Sequence, residues 1–164
     1  QLLRLIGGSA FEMAIYSFGR KKPDISDSAY VHPSATVIGD VKISEGCFVA
    51  PGAVLRGDYG TIVVGQETAV EDNVVVHARP EEECIIGSMV TLGHGCVVHN
   101  AVLKDHCLVG MNAVVSDYAV VGQWAVVAEG AVVKKAQKIP ARALAAGVPA
   151  RIKKEHIGDE YQKT

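Results

Sequence analysis

The feature that most constrains this fold is an aliphatic residue at every sixth position. The longest series is Leu103, Val109, Val115, Val121, Val127, Val133 and Ile139. Three shorter series precede it: Val31, Val37, Ile43, Val49 and Leu55; Val64, Val70 and Val76; Ile86, Leu92 and Val98. A period of six fits neither the 3.6 of a helix nor the two of an alternating strand. A triangular solenoid satisfies it, because each hexad supplies one short strand and one corner and three hexads complete a coil.

Composition favours the same all-β architecture. The 164 residues include 25 valines and 17 glycines, whereas aromatic residues make up only 5%. Valine suits strands and glycine suits tight corners. We therefore predict a left-handed parallel β-helix of hexapeptide repeats, whose inward aliphatic residues stack on the next coil about 4.8 Å away.

The two ends of the chain differ from the repeat. Residues 1–12 are interpreted as an added, non-native leader, because the sequence from Met13 onward is typical of a natural N-terminus. The β-helix domain is expected over 13–149. Residues 150–164 are charged, nearly free of glycine and valine, and spaced for a C-terminal α-helix after Pro149.

Charge and apolar patterning argue against several function classes. The 16 basic and 18 acidic residues are interspersed, so no nucleic-acid partner is expected. No apolar run reaches the roughly 18 to 20 residues of a membrane span, so no membrane partner is expected either. The four cysteines form no CxxC pair, which favours reduced thiols and a cytoplasmic protein.

The repeat is interrupted at three places. Nine residues separate Leu55 from Val64, ten separate Val76 from Ile86, and five separate Val98 from Leu103. Solenoids usually carry insertions as outward loops, often near function. Loops are therefore expected after Leu55 and within the ARPEEEC segment.

The phase of the six-residue repeat predicts the positions of three of the six histidines, His77, His94 and His99. His77 and His99 each follow an inward valine and are 22 residues apart, which is one 18-residue coil plus four inserted residues. They are predicted to stack on one outer face, where two imidazoles could hold a metal ion. Catalytic zinc usually has three protein ligands. His94 lies on the preceding face, so a neighbouring subunit would have to supply it, which predicts a threefold ring.

Charged residues extend these columns. Arg56 follows the inward Leu55 and is predicted to continue the column of His77 and His99. Asp72 is predicted to stack on His94. Asp58 and Asp72 are the nearest candidates to neutralise Arg56, although ordinary surface ion pairs remain an alternative. The remaining histidines are interpreted as surface or turn residues: His32, His106 and His156.

The motifs VLRGD (54–58), VEDNVVVH (70–77) and HGCVVH (94–99) on this solenoid resemble the γ-class carbonic anhydrase family. The resemblance covers roughly residues 25–150. The MNAVV element (111–115) is similar to the bacterial branch that includes phenylacetate-operon and carnitine-operon proteins.

The resemblance implies a homotrimer with a zinc ion, or iron or cobalt, at each subunit interface. The implied ligands are His77 and His99 of one subunit and His94 of its neighbour. The implied activity is reversible hydration of carbon dioxide to bicarbonate by a metal-bound hydroxide.

Further residues carry over as catalytic candidates: Arg56, Asp58, Glu71 and Asp72. The family usually has Asn and Gln where this chain has Ala69 and Glu71, so Glu71 is expected to take over the contact of the glutamine with the metal-bound water. The run 81–83 of three glutamates is the candidate proton carrier.

Two alternative functions stay open. One is a hexapeptide acyltransferase that uses acetyl-CoA and a single histidine base. The other is a non-catalytic metal-binding scaffold of the same fold.

Overall fold

The computed structural model describes residues 14–158, so the proposed leader and residues 159–164 lie outside the described residues. The described part consists of short strands joined by tight corners. The strands are β1 Ala14–Tyr16, β2 Asp24–Ile25, β3 Tyr30–Val31, β4 Thr36–Ile43, β5 Phe48–Val49, β6 Val54–Val64, β7 Ala69–Val70, β8 Val75–His77, β9 Glu83–Ile86, β10 Thr91–Leu92, β11 Val97–His99, β12 Val102–Leu103, β13 Leu108–Val109, β14 Val114–Val115, β15 Val120–Val121, β16 Val126–Val127, β17 Val132–Val133, β18 Lys138–Ile139, β19 Leu144–Ala146 and β20 Arg151–Lys154.

The strands wind into a left-handed parallel β-helix of about seven turns, which confirms the predicted fold class. The first face carries β8, β11, β14 and β17, the second carries β9, β12, β15 and β18, and the third runs from β3 to β20. The long strands β4 and β6 pass through a corner and join the first two faces into one 12-stranded sheet. Each strand pairs in parallel with its equivalent one coil away, except that β19 and β20 are antiparallel.

The core is a stack of the predicted aliphatic residues. Val76, Val98, Val115 and Val133 are aligned across successive strands and are fully buried. A small buried residue often lies four positions after an inward aliphatic residue, as Ala113 does after Val109. The small side chains at the corners leave room for the aliphatic side chains to fill the centre of the prism.

The four cysteines also occupy buried inward positions and are free thiols. Burial raises the pKa of Cys96 and of Cys107 to about 12, and that of Cys84 to about 11. Thiols held in the protonated form are poor nucleophiles and poor metal ligands. The four cysteines therefore act as core residues.

The insertion after Leu55 is not a loop. The chain from 54 to 64 forms one continuous strand of 11 residues, β6, which pairs with β4 through Gly39↔Gly57 and again from Val41↔Ile62. The extra residues are accommodated by an irregularity in register at the corner. Backbone pairing with β4 satisfies hydrogen bonds that an outward loop would leave to water.

The predicted C-terminal helix is wrong for the described residues. Arg151–Lys154 forms strand β20, which runs antiparallel to β19 with Ala145 paired to Ile152. The last coil exposes an unpaired strand edge, and a returning segment satisfies the backbone groups of that edge. Nothing between residues 14 and 158 forms a helix long and apolar enough to cross a bilayer.

A matched pair of leucines tests the inward stack. Leu92 is fully buried on β10, whereas Leu108 on the neighbouring β13 points outward and is partly exposed. We expect Leu92→Ala to lower the free energy of unfolding by about 2 to 5 kcal/mol, because it leaves a cavity in the prism. Leu108→Ala should lower the free energy of unfolding by less than about half as much. Equal losses for the two variants in urea unfolding would contradict the assignment of Leu92 as inward and Leu108 as outward.

Candidate functional site

The predicted column of Arg56, His77 and His99 is present on the first face. Arg56 on β6 is aligned with His77 on β8, and His77 is aligned with His99 on β11. Each follows a buried inward residue, so the alternation of the strand directs it outward. Coil stacking therefore brings together three residues that are far apart in sequence.

The two histidines lie in the middle of a continuous chain of hydrogen-bond distances. His77 Nε2 is 2.9 Å from Asp58 Oδ1, and His77 Nδ1 is 3.0 Å from His99 Nε2. At the other end, His99 Nδ1 is 2.7 Å from Asp117 Oδ1. All four imidazole nitrogens thus have a neighbour within the same chain.

The carboxylates dictate where the imidazole protons lie. An ionised carboxylate only accepts hydrogen bonds, so His77 Nε2 and His99 Nδ1 must each carry a proton. If both rings are neutral, His77 Nδ1 and His99 Nε2 face each other as bare lone pairs 3.0 Å apart. Two lone pairs at that distance require a cation between them, which is either one shared proton or a metal ion.

An arginine lies beyond each aspartate. Arg56 Nη1 donates a short hydrogen bond to Asp58 Oδ2, and Arg79 Nη1 lies 3.9 Å from Asp117 Oδ1. The arginine side chains are 42% and 45% exposed, whereas that of His77 is only 16% exposed. The chain therefore begins and ends in half-exposed guanidinium groups and passes through a shielded imidazole.

Asp58 is held in its charged form. Burial raises the pKa of this carboxyl, but hydrogen bonds from His77 and Arg56, the backbone N–H of Tyr59 and the charge of Arg56 together bring it below its usual value of 3.8. Gly57 makes the geometry possible, because a Cβ there would lie 2.3 Å from the carbonyl oxygen of Asp40. The RGD sequence thus turns Asp58 back toward Arg56 and His77.

His94 lies at the corner between β10 and β11, apart from the histidine pair. Its Nδ1 is 3.0 Å from Asp72 Oδ2 and 4.0 Å from Glu71 Oε2, so the predicted stacking of Asp72 on His94 is present. Glu71, Asp72 and His94 are the one group of three described His, Cys, Asp or Glu side chains whose ligand atoms lie within 4.8 Å of one another. The three histidines predicted as metal ligands therefore do not converge within one chain.

The three histidines assigned no role have different surroundings. His32 Nδ1 lies 2.8 Å from the hydroxyl of Ser34, and His106 stacks on Trp124 with ring centroids 4.0 Å apart. His156 is exposed. Among the described residues, each of the three predicted metal ligands has an aspartate oxygen within 3.0 Å of a ring nitrogen. None of the three other histidines has such a contact there.

The acidic loop is fixed to the column instead of standing free. Asn100, which is 4% exposed, donates from Nδ2 to Glu82 and accepts the backbone N–H of Arg79 at 3.0 Å. The Tyr118 hydroxyl donates to the other oxygen of Glu82 at 3.0 Å, and this bond raises the pKa of Tyr118. Glu81 and Glu83 are exposed.

Sequence reasoning missed Asp117 and Arg79. The coil after Val98 is one residue short, so Val98 pairs with Val115 and the arithmetic that aligned the histidines places Ser116 beside His99. Asp117 lies one residue further on, at the corner, and the repeat does not predict its contact with His99. Arg79 follows His77 by two residues at the start of the four-residue insertion, and no repeat position predicts its direction.

Comparison with known proteins places the chain in a family. No protein-family model matches it. A hexapeptide transferase family protein from Anaplasma phagocytophilum is 32% identical, with a TM-score of 0.86 over 90% of this chain and 87% of that one. The chain belongs to the hexapeptide-repeat family of left-handed β-helix proteins. A Bacillus cereus protein provisionally assigned as an acetyltransferase is also 32% identical, with a TM-score of 0.87 over 90% and 86% of the two chains.

A curated relative of this hexapeptide-repeat protein is the carnitine operon protein CaiE of Escherichia fergusonii. The two are 39% identical over 83 residues, which is 51% of this chain and 42% of the relative. The chain thus matches about two fifths of the length of that relative. The similarity to carnitine-operon proteins is confirmed, whereas γ-class carbonic anhydrase activity stays a prediction.

The lowered pKa of Asp58 predicts a pH dependence of stability. A carboxyl whose pKa is lower in the folded than in the unfolded chain stabilises the fold above about pH 4, and this contribution is lost as the pH falls through the folded value. We expect Asp58→Asn to cost about 1 to 2 kcal/mol near neutral pH, and the difference from the parent to narrow toward about pH 3. Urea unfolding across this pH range measures the difference in free energy of unfolding between the parent and the variant. Asp24→Asn, at an exposed position, is the control.

Proposed function

We propose that the paired histidines hold a divalent metal ion and that the protein hydrates carbon dioxide to bicarbonate. The observation that carries this proposal is the 3.0 Å approach of His77 Nδ1 and His99 Nε2, both left without a proton when the rings are neutral. A metal ion satisfies two converging lone pairs without requiring a charged imidazole. The resemblance of the VLRGD and HGCVVH motifs supports the same function.

The chemistry of the donor set fits zinc, with iron or cobalt as alternatives. Imidazole nitrogens bind zinc at about 2.0 to 2.1 Å, so two ligands in a tetrahedral arrangement lie about 3.3 Å apart, close to the separation found here. Metal-binding histidines commonly donate their second N–H to a carboxylate, which fixes the ring. Asp58 and Asp117 are placed to accept such bonds from His77 and His99, and Asp72 Oδ2 lies 3.0 Å from His94 Nδ1.

His94 makes a second subunit part of this proposal. Its Nδ1 contacts Asp72, and its side chain is 55% exposed, so Nε2 is available to a neighbouring chain. Proteins with this hexapeptide-repeat fold are commonly trimers. We infer a homotrimer in which His94 completes the site of its neighbour, and we expect a cytoplasmic location from the free cysteines.

Other residues of the chain would bind bicarbonate, orient water and carry the released proton. A bound zinc ion would supply the Lewis acidity that lowers the pKa of a water molecule to about 7. Arg56 contacts Asp58 through Nη1 and, being half-exposed, retains N–H groups for a bicarbonate anion. Glu71 lies near His94 and would accept a hydrogen bond from water at the interface. Hydration releases one proton, and the exposed Glu81 and Glu83 are better placed to carry it than Glu82.

Acyl transfer is the second candidate, and the comparisons favour it over carbon dioxide hydration. The names of both full-length structural relatives refer to transferases, and the chain matches about nine tenths of each. An imidazole oriented by an aspartate is a suitable general base for a hydroxyl or amine that attacks acetyl-CoA, and His99 with Asp117 has that form. Because the solenoid hosts both chemistries, the site rather than the fold must decide between them.

Metal content and two assays on the same preparations separate these functions. We expect the parent to hold about one metal ion per chain and to hydrate carbon dioxide, and His77→Ala, His94→Ala or His99→Ala each to lose most of both. His106→Ala should keep both, because that ring stacks on Trp124 away from the column.

Each other result has a defined meaning. Acetyl-CoA consumption by metal-free parent, abolished in His99→Ala, would establish acyl transfer and overturn the hydration proposal. Stoichiometric metal without turnover in either assay would leave the metal-binding scaffold.

Mixed subunits test where His94 acts. Chains with His94→Ala supply an intact histidine pair, whereas chains with His77→Ala supply an intact His94. Co-refolding the two should restore some complete interface sites, and hence part of the metal content and hydration activity. No recovery in mixtures whose mixed oligomers are verified by mass spectrometry would place all ligands within one chain.

A further inference from the structure

We infer that Asp117, supported by Arg79, is the positioning residue of His99, and that the loop from 79 to 83 is the brace that holds this pair in place. The inference rests on the proposed role of His99. It assigns a function to two residues that lie outside the sequence motifs, and it gives the acidic insertion a structural role, through Glu82, in addition to proton transfer.

The first step concerns the orientation of His99. The side chain of His99 is 35% exposed, about twice the exposed fraction of His77, so packing constrains its ring less. Asp117 comes from the next coil, and its Oδ1 accepts from His99 Nδ1 at 2.7 Å, the shortest of the three aspartate–histidine contacts. This bond fixes both the tautomer and the ring orientation, so that Nε2 faces His77 as an acceptor.

The second step concerns the orientation of Asp117. Arg79 Nη1 lies 3.9 Å from Asp117 Oδ1, the same oxygen that contacts His99. The guanidinium offsets the negative charge of a carboxylate that is only 23% exposed. On the opposite side of the histidine pair, Arg56 donates a direct hydrogen bond to Asp58 Oδ2, while His77 contacts Asp58 Oδ1. Each ring thus has one aspartate and one arginine beyond it, and the arginine contact is closer on the Asp58 side.

The third step concerns how Arg79 is held. Its backbone N–H donates to Asn100 Oδ1, and Asn100 Nδ2 donates to Glu82, so one buried amide fixes both ends of the loop. Tyr118, on the coil that also carries Asp117, donates to Glu82 from its hydroxyl. A loop tied at two points to the residues that flank His99 and Asp117 gives Arg79 a defined position.

The test compares conservative and truncating changes at both residues. The variants are Asp117→Asn, Asp117→Ala, Arg79→Lys and Arg79→Ala, with Glu129→Gln as a control for the loss of one exposed carboxylate. The first measurement is the chelator concentration that removes half of the bound zinc. The second uses metal-free protein and reads the imidazole nitrogen-15 shifts of His99 and His77, which report which nitrogen carries the proton. Circular dichroism and thermal melting verify that each variant is folded.

The expected results are graded. Asp117→Ala should lower the half-removal chelator concentration by about 10- to 100-fold, the usual effect of losing such an outer partner. Asp117→Asn keeps an acceptor oxygen, so its half-removal chelator concentration should fall less than that of Asp117→Ala. Arg79→Ala should lower this concentration more than Arg79→Lys does. In the metal-free protein, Asp117→Ala should redistribute the His99 proton between its two nitrogens and leave the His77 Nε2–H signal in place.

Two results would overturn the inference. One is a half-removal concentration for Asp117→Ala within about twofold of Glu129→Gln, and the other is a His99 spectrum unchanged from the parent. If the parent binds no metal, the proposed function fails, while the nitrogen-15 spectra still decide the positioning role. Should Asp117→Ala not fold, Arg79→Ala, which removes a half-exposed side chain, gives the decisive comparison with Arg79→Lys.

Discussion

The stacking of one aliphatic side chain on its equivalent in the next coil is the interaction on which the rest of this structure depends. Buried residues such as Val76 and Val98 repeat at the strand spacing and lose all contact with water. Burial of each contributes about 1.5 to 3 kcal/mol, so a shift in phase would expose many residues at once. The inward phase therefore fixes the outward phase, and the residue after each buried valine must face outward.

The functional column follows from that outward phase. His77 and His99 are neighbours because Val76 and Val98 are neighbours, and Asp117 reaches His99 from one coil further on. The contacts of the two histidines join residues from different coils, and the Arg56–Asp58 bond joins two residues of the long strand β6. The site is thus assembled by coil stacking.

The same scaffold is compatible with two chemistries because both use histidine oriented by carboxylate. A general base for acyl transfer needs one imidazole with an aspartate, as His99 has. A metal site needs imidazoles whose free nitrogens converge, as those of His77 and His99 do. Family membership is shown by the 32% identity over nine tenths of the chain, but the chemistry depends on what lies between those two nitrogens.

The sequence by itself determined the solenoid, its inward residues and the alignment of Arg56, His77 and His99, because a strict period converts directly into position. It did not determine what happens where the period stops. The continuous strand β6 and the antiparallel β20 form because open strand edges need backbone partners, and those partners are distant in sequence. Only the tertiary structure brought Asp117, Arg79 and the Asn100–Glu82 contact to the histidines, since side chains at corners choose partners by proximity across coils and not by repeat position.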